Sequence, residues 1–106
     1  MFVTLTTADI AGVPIEQAPI VAEEMERWLR ETEGFEGLIL LAGEGKVLGL
    51  AFWESRETAE RHQVARTQFR ERMLSMAGVR IEAVVDYDVI FARLGPGWDS
   101  FNASKR

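Results

Sequence analysis

The chain has no cysteine, one histidine, one tyrosine and three prolines in 106 residues. Without cysteine there is no disulfide, no thiolate zinc or iron–sulfur site and no thiol nucleophile. His62 is the only imidazole, and Tyr87 the only phenol. No apolar run approaches the roughly 20 residues of a membrane helix. An excess of positive charge is also missing: 17 acidic side chains face 12 basic ones, for a net charge of -5. Ten of those twelve are arginines, spread from Arg27 to Arg106 without a run. Such a surface repels phosphate backbones, so neither nucleic acid nor membrane is an expected partner. The opening MFVTLTTADI lacks the basic region and long apolar core of a secretory leader. The expected location is the cytoplasm, which the absence of cysteine suits. No repeat and no low-complexity segment interrupts the chain.

What is present in quantity is aliphatic sequence. Phe35 to Glu54, FEGLILLAGEGKVLGLAFWE, reads as a β-hairpin that is apolar on both faces. Strand side chains alternate between two faces. By that alternation Phe35, Ile39 and Leu41 oppose Leu38, Leu40 and Ala42, while Leu48, Leu50 and Phe52 oppose Val47, Ala51 and Trp53. An antiparallel sheet in a small soluble monomer usually leaves one face polar. Here both faces need cover.

The rest of the chain supplies part of that cover. Phe2–Ile10, rich in Thr, Val and Leu, predicts a first strand, broken by Gly12-Val13-Pro14. Ala18, Val21, Ala22, Met25, Trp28 and Leu29 recur at helical spacing. Pro19 suits a first helical turn, so the regular helix is expected to begin near it and to end at Gly34. Glu23–Arg27 and Glu26–Arg30 are (i, i+4) pairs on its outer face. Gly43-Glu44-Gly45-Lys46 provides the hairpin turn. Ser55 is an expected N-cap for one helix running to about Met76, with a buried stripe of Ala59, His62, Phe69, Met73 and Met76 and Arg66 on its edge. Ala77-Gly78 stops it. A last strand is expected from Val79 to Leu94, ended by Gly95-Pro96-Gly97.

The expected fold class is α+β, in the ferredoxin-like order β-α-β-β-α-β: a four-stranded antiparallel sheet with two helices on one face. Residues 1–94 form the expected domain and 95–106 a C-terminal tail. The uncovered face would present about six large apolar side chains. At ~1.5–3 kcal/mol each, these amount to order 10 kcal/mol, comparable with the whole stability of a domain. A second copy packed face to face about a two-fold axis is the economical cover, so a homodimer is expected.

Glu33-Gly34-Phe35-Glu36-Gly37, a hydrophobic strand, a glycine turn and then Trp53-Glu54-Ser55 opening a helix together resemble the dimeric α/β-barrel superfamily. Within it the likeness is to antibiotic-biosynthesis-monooxygenase-like domains, over about Met1 to Leu94. The resemblance implies a homodimer with a site between the sheet and the helices of each subunit. It also implies a range of activities: cofactor-independent monooxygenases on polycyclic phenols, haem-degrading monooxygenases, small isomerases and members without known activity. The haem-degrading pattern is not kept here. The first strand offers Thr4, Thr6 and Thr7 but no Asn, the position of that group's second tryptophan falls on His62, and its haem-ligand position falls on Arg72. Haem degradation is therefore not expected.

Side chains able to carry chemistry are few. His62 lies in the buried stripe of the second helix. It is either a proton acceptor, since imidazole titrates near neutral pH, or a hydrogen-bonded core histidine. Tyr87 shares a face of the last strand with Val85, Val89 and Phe91. That face is assigned to the helices, so Tyr87 is expected near His62, as a site residue or as packing. Asp86, Asp88 and Glu82 lie on the other face, as a carboxylate cluster able to act as general acid and base, as solvated charges, or as partners of arginines across the dimer. No metal site is expected, because no second ligand set has recognisable spacing. Asn102-Ala103-Ser104 matches a glycosylation sequon and is discounted without a secretion signal.

These residues lead to one expectation: a small-molecule-binding dimer acting as a cofactor-independent monooxygenase on an aromatic or enolisable substrate. His62 would be the base, Arg66 would stabilise an enolate or phenolate, and Tyr87 would complete the catalytic group. Trp28, Trp53, Phe69 and Thr6 would shape the pocket. Oxygen would react directly with the substrate carbanion, so no cofactor is called for. The competing expectation is a non-catalytic ligand-binding or accessory dimer. A cavity faced by both His62 and Tyr87 would favour the enzyme.

Overall fold

The computed structural model describes residues 1–9, 18–78 and 80–98, with the side chains of 18–22, 70 and 73–77 left aside. Seven elements follow one another: β1 (Phe2–Asp9), α1 (Ala18–Arg30), β2 (Phe35–Gly43), β3 (Lys46–Trp53), α2 (Arg56–Arg61), α3 (Gln63–Ala77) and β4 (Arg80–Asp88). The strands form one antiparallel sheet in the order β2-β3-β1-β4. The ferredoxin-like expectation holds, with three helices in place of two. The expected end of the first strand at Ile10, the break at 12–14, Val79 and the sequon lie outside the described residues, as do the side chains of Met73 and Met76.

Local chemistry explains most boundaries. The β2–β3 hairpin turns on Glu44 and Gly45, with φ of 53° and 74°. Two central residues at positive φ make the tight turn whose twist matches the flanking strands. Ser55 caps α2, its Oγ accepting the Thr58 N–H at 3.2 Å. Gly78, at φ 62°, follows the last residue of α3. On α1, Arg30 does pair with Glu26, but Arg27 reaches Glu24 at 3.2 Å, one turn position nearer than the expected Glu23.

One helix was expected after Ser55, yet the backbone breaks at His62, whose φ and ψ are -102° and 19°. No proline or glycine marks the spot, so apolar spacing runs through it. The break coincides with a tertiary contact: the His62 ring stacks on Trp53, centroids 6.4 Å apart. Helix α3 restarts with the Arg66 N–H bonded to the His62 carbonyl at 2.9 Å.

The core lies between the sheet and the helices. Phe2, Leu29, Trp53 and Ala59 are its buried centre, with Trp28, Phe35, Leu38 and Ala51 packed around them. Phe35 was expected on the face of Ile39 and Leu41. The register instead shifts between Phe35 and Gly37, which pair with Trp53 and Phe52. This bulge inserts one residue and turns Phe35 onto the helix-covered face. The other face carries Val3, Leu5, Ile39, Leu41, Leu48, Leu50, Phe52, Val85 and Tyr87 by alternation and register.

The last strand ends at Asp88 and not at Leu94. Its partner β1 starts at Phe2, and the final bond between them runs from the Val89 N–H to the Met1 carbonyl at 2.9 Å. Beyond that point no strand among the described residues lies beside it. Ile90 and Phe91 are left 95% and 76% exposed.

Candidate functional site

Five side chains, from four elements and the α2–α3 joint, converge on the helix-covered face around the first half of β1. Thr4 is central. It pairs with Ala51 of β3 on one side and Asp86 of β4 on the other. Its hydroxyl donates to Asp86 Oδ1 at 3.0 Å and accepts from Arg66 Nη1 at 2.7 Å. Arg66, half-buried on α3, also sets its guanidinium 5.7 Å from the Trp53 ring centre. Trp53 is fully buried at the end of β3, edge-on to Phe35 and stacked with His62.

The chain reaches this arrangement through a short local motif. Trp53-Glu54-Ser55 ends β3 and opens α2. The Glu54 N–H bonds to the Gly34 carbonyl at 2.8 Å, so the turn after α1 clamps the turn before α2. That clamp holds Trp53 under the helices and carries α2 towards the sheet. His62 then falls one helix later, at the α2–α3 joint, and Arg66 one turn further on.

Two ring nitrogens here, Trp53 Nε1 and His62 Nε2, are buried and have no hydrogen-bond partner among the described residues. Leaving a buried donor or acceptor unmet costs about 1–3 kcal/mol, and folded proteins keep few such groups. Two of them on stacked rings, beside a guanidinium, form a polar spot inside an otherwise apolar layer.

The expected site residues divide clearly. His62, Arg66 and Trp53 come together. Phe69 and Trp28 stack on each other at 4.8 Å, bridging α3 and α1. Thr6 lies on the same face one pair further along, opposite Gly49 and Val84. Tyr87 does not join them. It pairs with Val3 on the opposite face and is half exposed. The register of β4 with β1 interchanges the two faces expected from alternation alone. The criterion of one cavity shared by His62 and Tyr87 is therefore not met. Asp86, expected to be solvated, is indeed exposed, but its register puts it on the helix-covered face, bonded to Thr4. Thr4 and Asp86 were missed as site residues. Thr4 is one of three threonines on β1, and only its cross-strand pairing with Asp86 singles it out.

The neighbouring carboxylate, Asp88, pairs with Arg56 at 3.4 Å. Among the described residues, no three His, Asp or Glu side chains gather in a way that could hold a metal ion. No helix there is long and apolar enough to cross a membrane.

No family model matches the sequence, and no curated protein matches it. Solved structures do match the fold. A Deinococcus radiodurans protein named as an antibiotic biosynthesis monooxygenase superposes with a TM-score of 0.63 at 17% identity, over 92% of this chain and 100% of its own. The ActVA-Orf6 monooxygenase of Streptomyces coelicolor, solved with nanaomycin D, gives 0.63 at 23% identity, over 89% and 91%. The haem-degrader MhuD of Mycobacterium tuberculosis, solved with two haems in its active site, gives 0.55 at 17%, over 88% and 99%. The chain thus has the fold of antibiotic-biosynthesis-monooxygenase-like proteins. At these identities the likeness speaks for fold alone.

Proposed function

We propose that this chain binds a small aromatic or enolisable molecule against the helix-covered face of its sheet and oxygenates it without a bound cofactor. The observation that carries this reading is the pair of buried, unmatched nitrogens, Trp53 Nε1 and His62 Nε2, beside the Arg66 guanidinium. A ligand hydroxyl or carbonyl would meet both. The indole N–H donates to oxygen, and His62 Nε2 accepts the hydroxyl proton. Arg66 then stabilises the resulting oxyanion in a site of low dielectric. The S. coelicolor monooxygenase of the same fold, solved with nanaomycin D, is in keeping with a small organic ligand.

The chemistry balances without further reactants than oxygen. His62 takes the phenolic or enolic proton, leaving an electron-rich carbon. That carbon adds O2 by electron transfer and recombination, giving a carbon-bound peroxide, which His62 reprotonates. The O–O bond breaks as the proton on the same carbon leaves. One substrate and one O2 give one quinone and one water.

The test uses anthrone, which enolises readily. Quenching of tryptophan fluorescence under anaerobic conditions reports binding. Oxygen uptake with anthraquinone absorbance, above the buffer rate, reports turnover. The expected result is binding, with one O2 consumed per quinone, and loss of turnover in His62→Ala and Arg66→Ala. Binding without uptake would replace the enzyme with a ligand-binding protein. No binding would overturn the reading.

We further propose that the working unit is a homodimer closed through the opposite face. Leu41, Val85 and Tyr87 stand about half exposed there in the single chain, and Ile90 and Phe91 extend past the end of β4 with no strand beside them among the described residues. Burial of apolar surface on that scale is what a stable dimer uses.

A further inference from the structure

We propose that Thr4 and Asp86 are positioning residues that hold the Arg66 guanidinium in one orientation before any ligand arrives. Arginine has no acceptor, a hydroxyl has a single proton, and a carboxylate oxygen only accepts. The direction of the chain is therefore set: Arg66 Nη1 donates to Thr4 Oγ1 at 2.7 Å, and Thr4 spends its one proton on Asp86 Oδ1 at 3.0 Å. Reversal would leave a donor facing a donor.

Position makes this anchor rigid. Thr4 is 6% exposed, on a strand paired on both sides. Asp86 is its direct cross-strand partner, so backbone ladder bonds fix the carboxylate relative to the hydroxyl. The next carboxylate on that face of β4, Asp88, is exposed like Asp86 but meets its arginine, Arg56, directly at 3.4 Å. At Thr4 a neutral hydroxyl stands between cation and anion. The guanidinium is gripped through Nη1. Fixing a long, flexible side chain in advance removes that ordering cost from the binding or transition-state step.

The consequence for a substrate rests on the function proposed above. The anchoring itself does not, and it is measured without ligand. Protein labelled with 15N and 13C at arginine reports rotation of each guanidinium by NMR. Wild-type Arg66 is expected to show resolved Nη resonances, unlike exposed Arg27. Thr4→Val, which keeps the shape and removes the hydroxyl, is expected to average them. Thr4→Ser is expected to restore them, and Asp86→Ala to weaken the restraint. Circular dichroism of each variant confirms that it is folded, and Thr4→Ser keeps the test decisive if the valine variant is not. In the anthrone assay, Thr4→Val is expected to lower kcat/KM about tenfold, as for a displaced catalytic group, with recovery in Thr4→Ser. Restrained Arg66 released by Thr4→Val, in a protein that never binds anthrone, would uphold the anchor and reject the substrate. Arg66 rotating as freely as Arg27 in the wild type, or unchanged by Thr4→Val, would overturn the anchor whatever the substrate does.

Discussion

Gly34 and Thr58 leave each other no spare room: a Cβ on Gly34 would stand 1.9 Å from Thr58 Cγ2. Gly34 also has φ of 85°, where side chains are strained. The two residues join the turn after α1 to the first turn of α2, beside the Gly34–Glu54 backbone bond. Gly34→Ala is expected to cost about 3 kcal/mol, from strain and overpacking together. Thr58→Ser removes the offending methyl and keeps the hydroxyl. Added to Gly34→Ala it should return part of the loss in urea denaturation. No recovery would mean that backbone strain alone sets the cost.

Ser55→Ala removes the oxygen that receives the Thr58 N–H and faces the Thr58 hydroxyl at 3.0 Å. The expected loss is about 1 kcal/mol in thermal or urea unfolding, with Gly in place of Ala recovering most of it. A neutral Ser55→Ala would show that α2 does not depend on its cap.

Leu40 and Leu50 belong to opposite faces, so one charge should act differently at each. Leu40 faces the helices, where its Cδ2 approaches the position of a Gly49 Cβ at 3.3 Å. Leu40→Glu is expected to unfold the chain, because an unpaired charge would be buried. Leu50→Glu is expected to leave it folded and shift it from dimer to monomer in sedimentation velocity at micromolar concentration. A Leu50→Glu protein that still sediments as a dimer would sink the proposed interface.

Tyr87→Phe removes a hydroxyl on the face away from His62 and Arg66. Its kcat/KM with anthrone should stay within about twofold of wild type, the ordinary range for a substitution outside the site. A loss as large as that of His62→Ala would place Tyr87 in the chemistry, by way of a partner subunit.

Much of the fold was legible because its signals are local. The Glu44-Gly45 turn, the Ser55 cap, the Gly78 stop and the helical spacing of Met25, Trp28 and Leu29 each depend on residues within a few positions. The same holds for the hairpin's second strand, where Val47, Ala51 and Trp53 separate from Leu48, Leu50 and Phe52 by simple alternation. His62 and Arg66 were legible as site candidates because they are one helical turn apart on the helix facing the sheet.

The residues placed on the wrong face of the sheet share a cause. A strand's faces are known from sequence only up to an interchange, and a single bulge reverses them. Phe35 moved inward because of the inserted Glu36. Tyr87 moved outward, and Asp86 inward, because β4 takes its register from β1. The sequence by itself determined the four strands, their alternation with helical segments and the excess of apolar surface on the hairpin, since those follow from spacing along the chain, but not the break at His62 or the end of β4. Only the tertiary structure decided which side chains meet. The contacts of Thr4 with Asp86 and Arg66 span separations of 82 and 62 residues, and their geometry is set by strand pairing and helix docking, to which no local pattern refers.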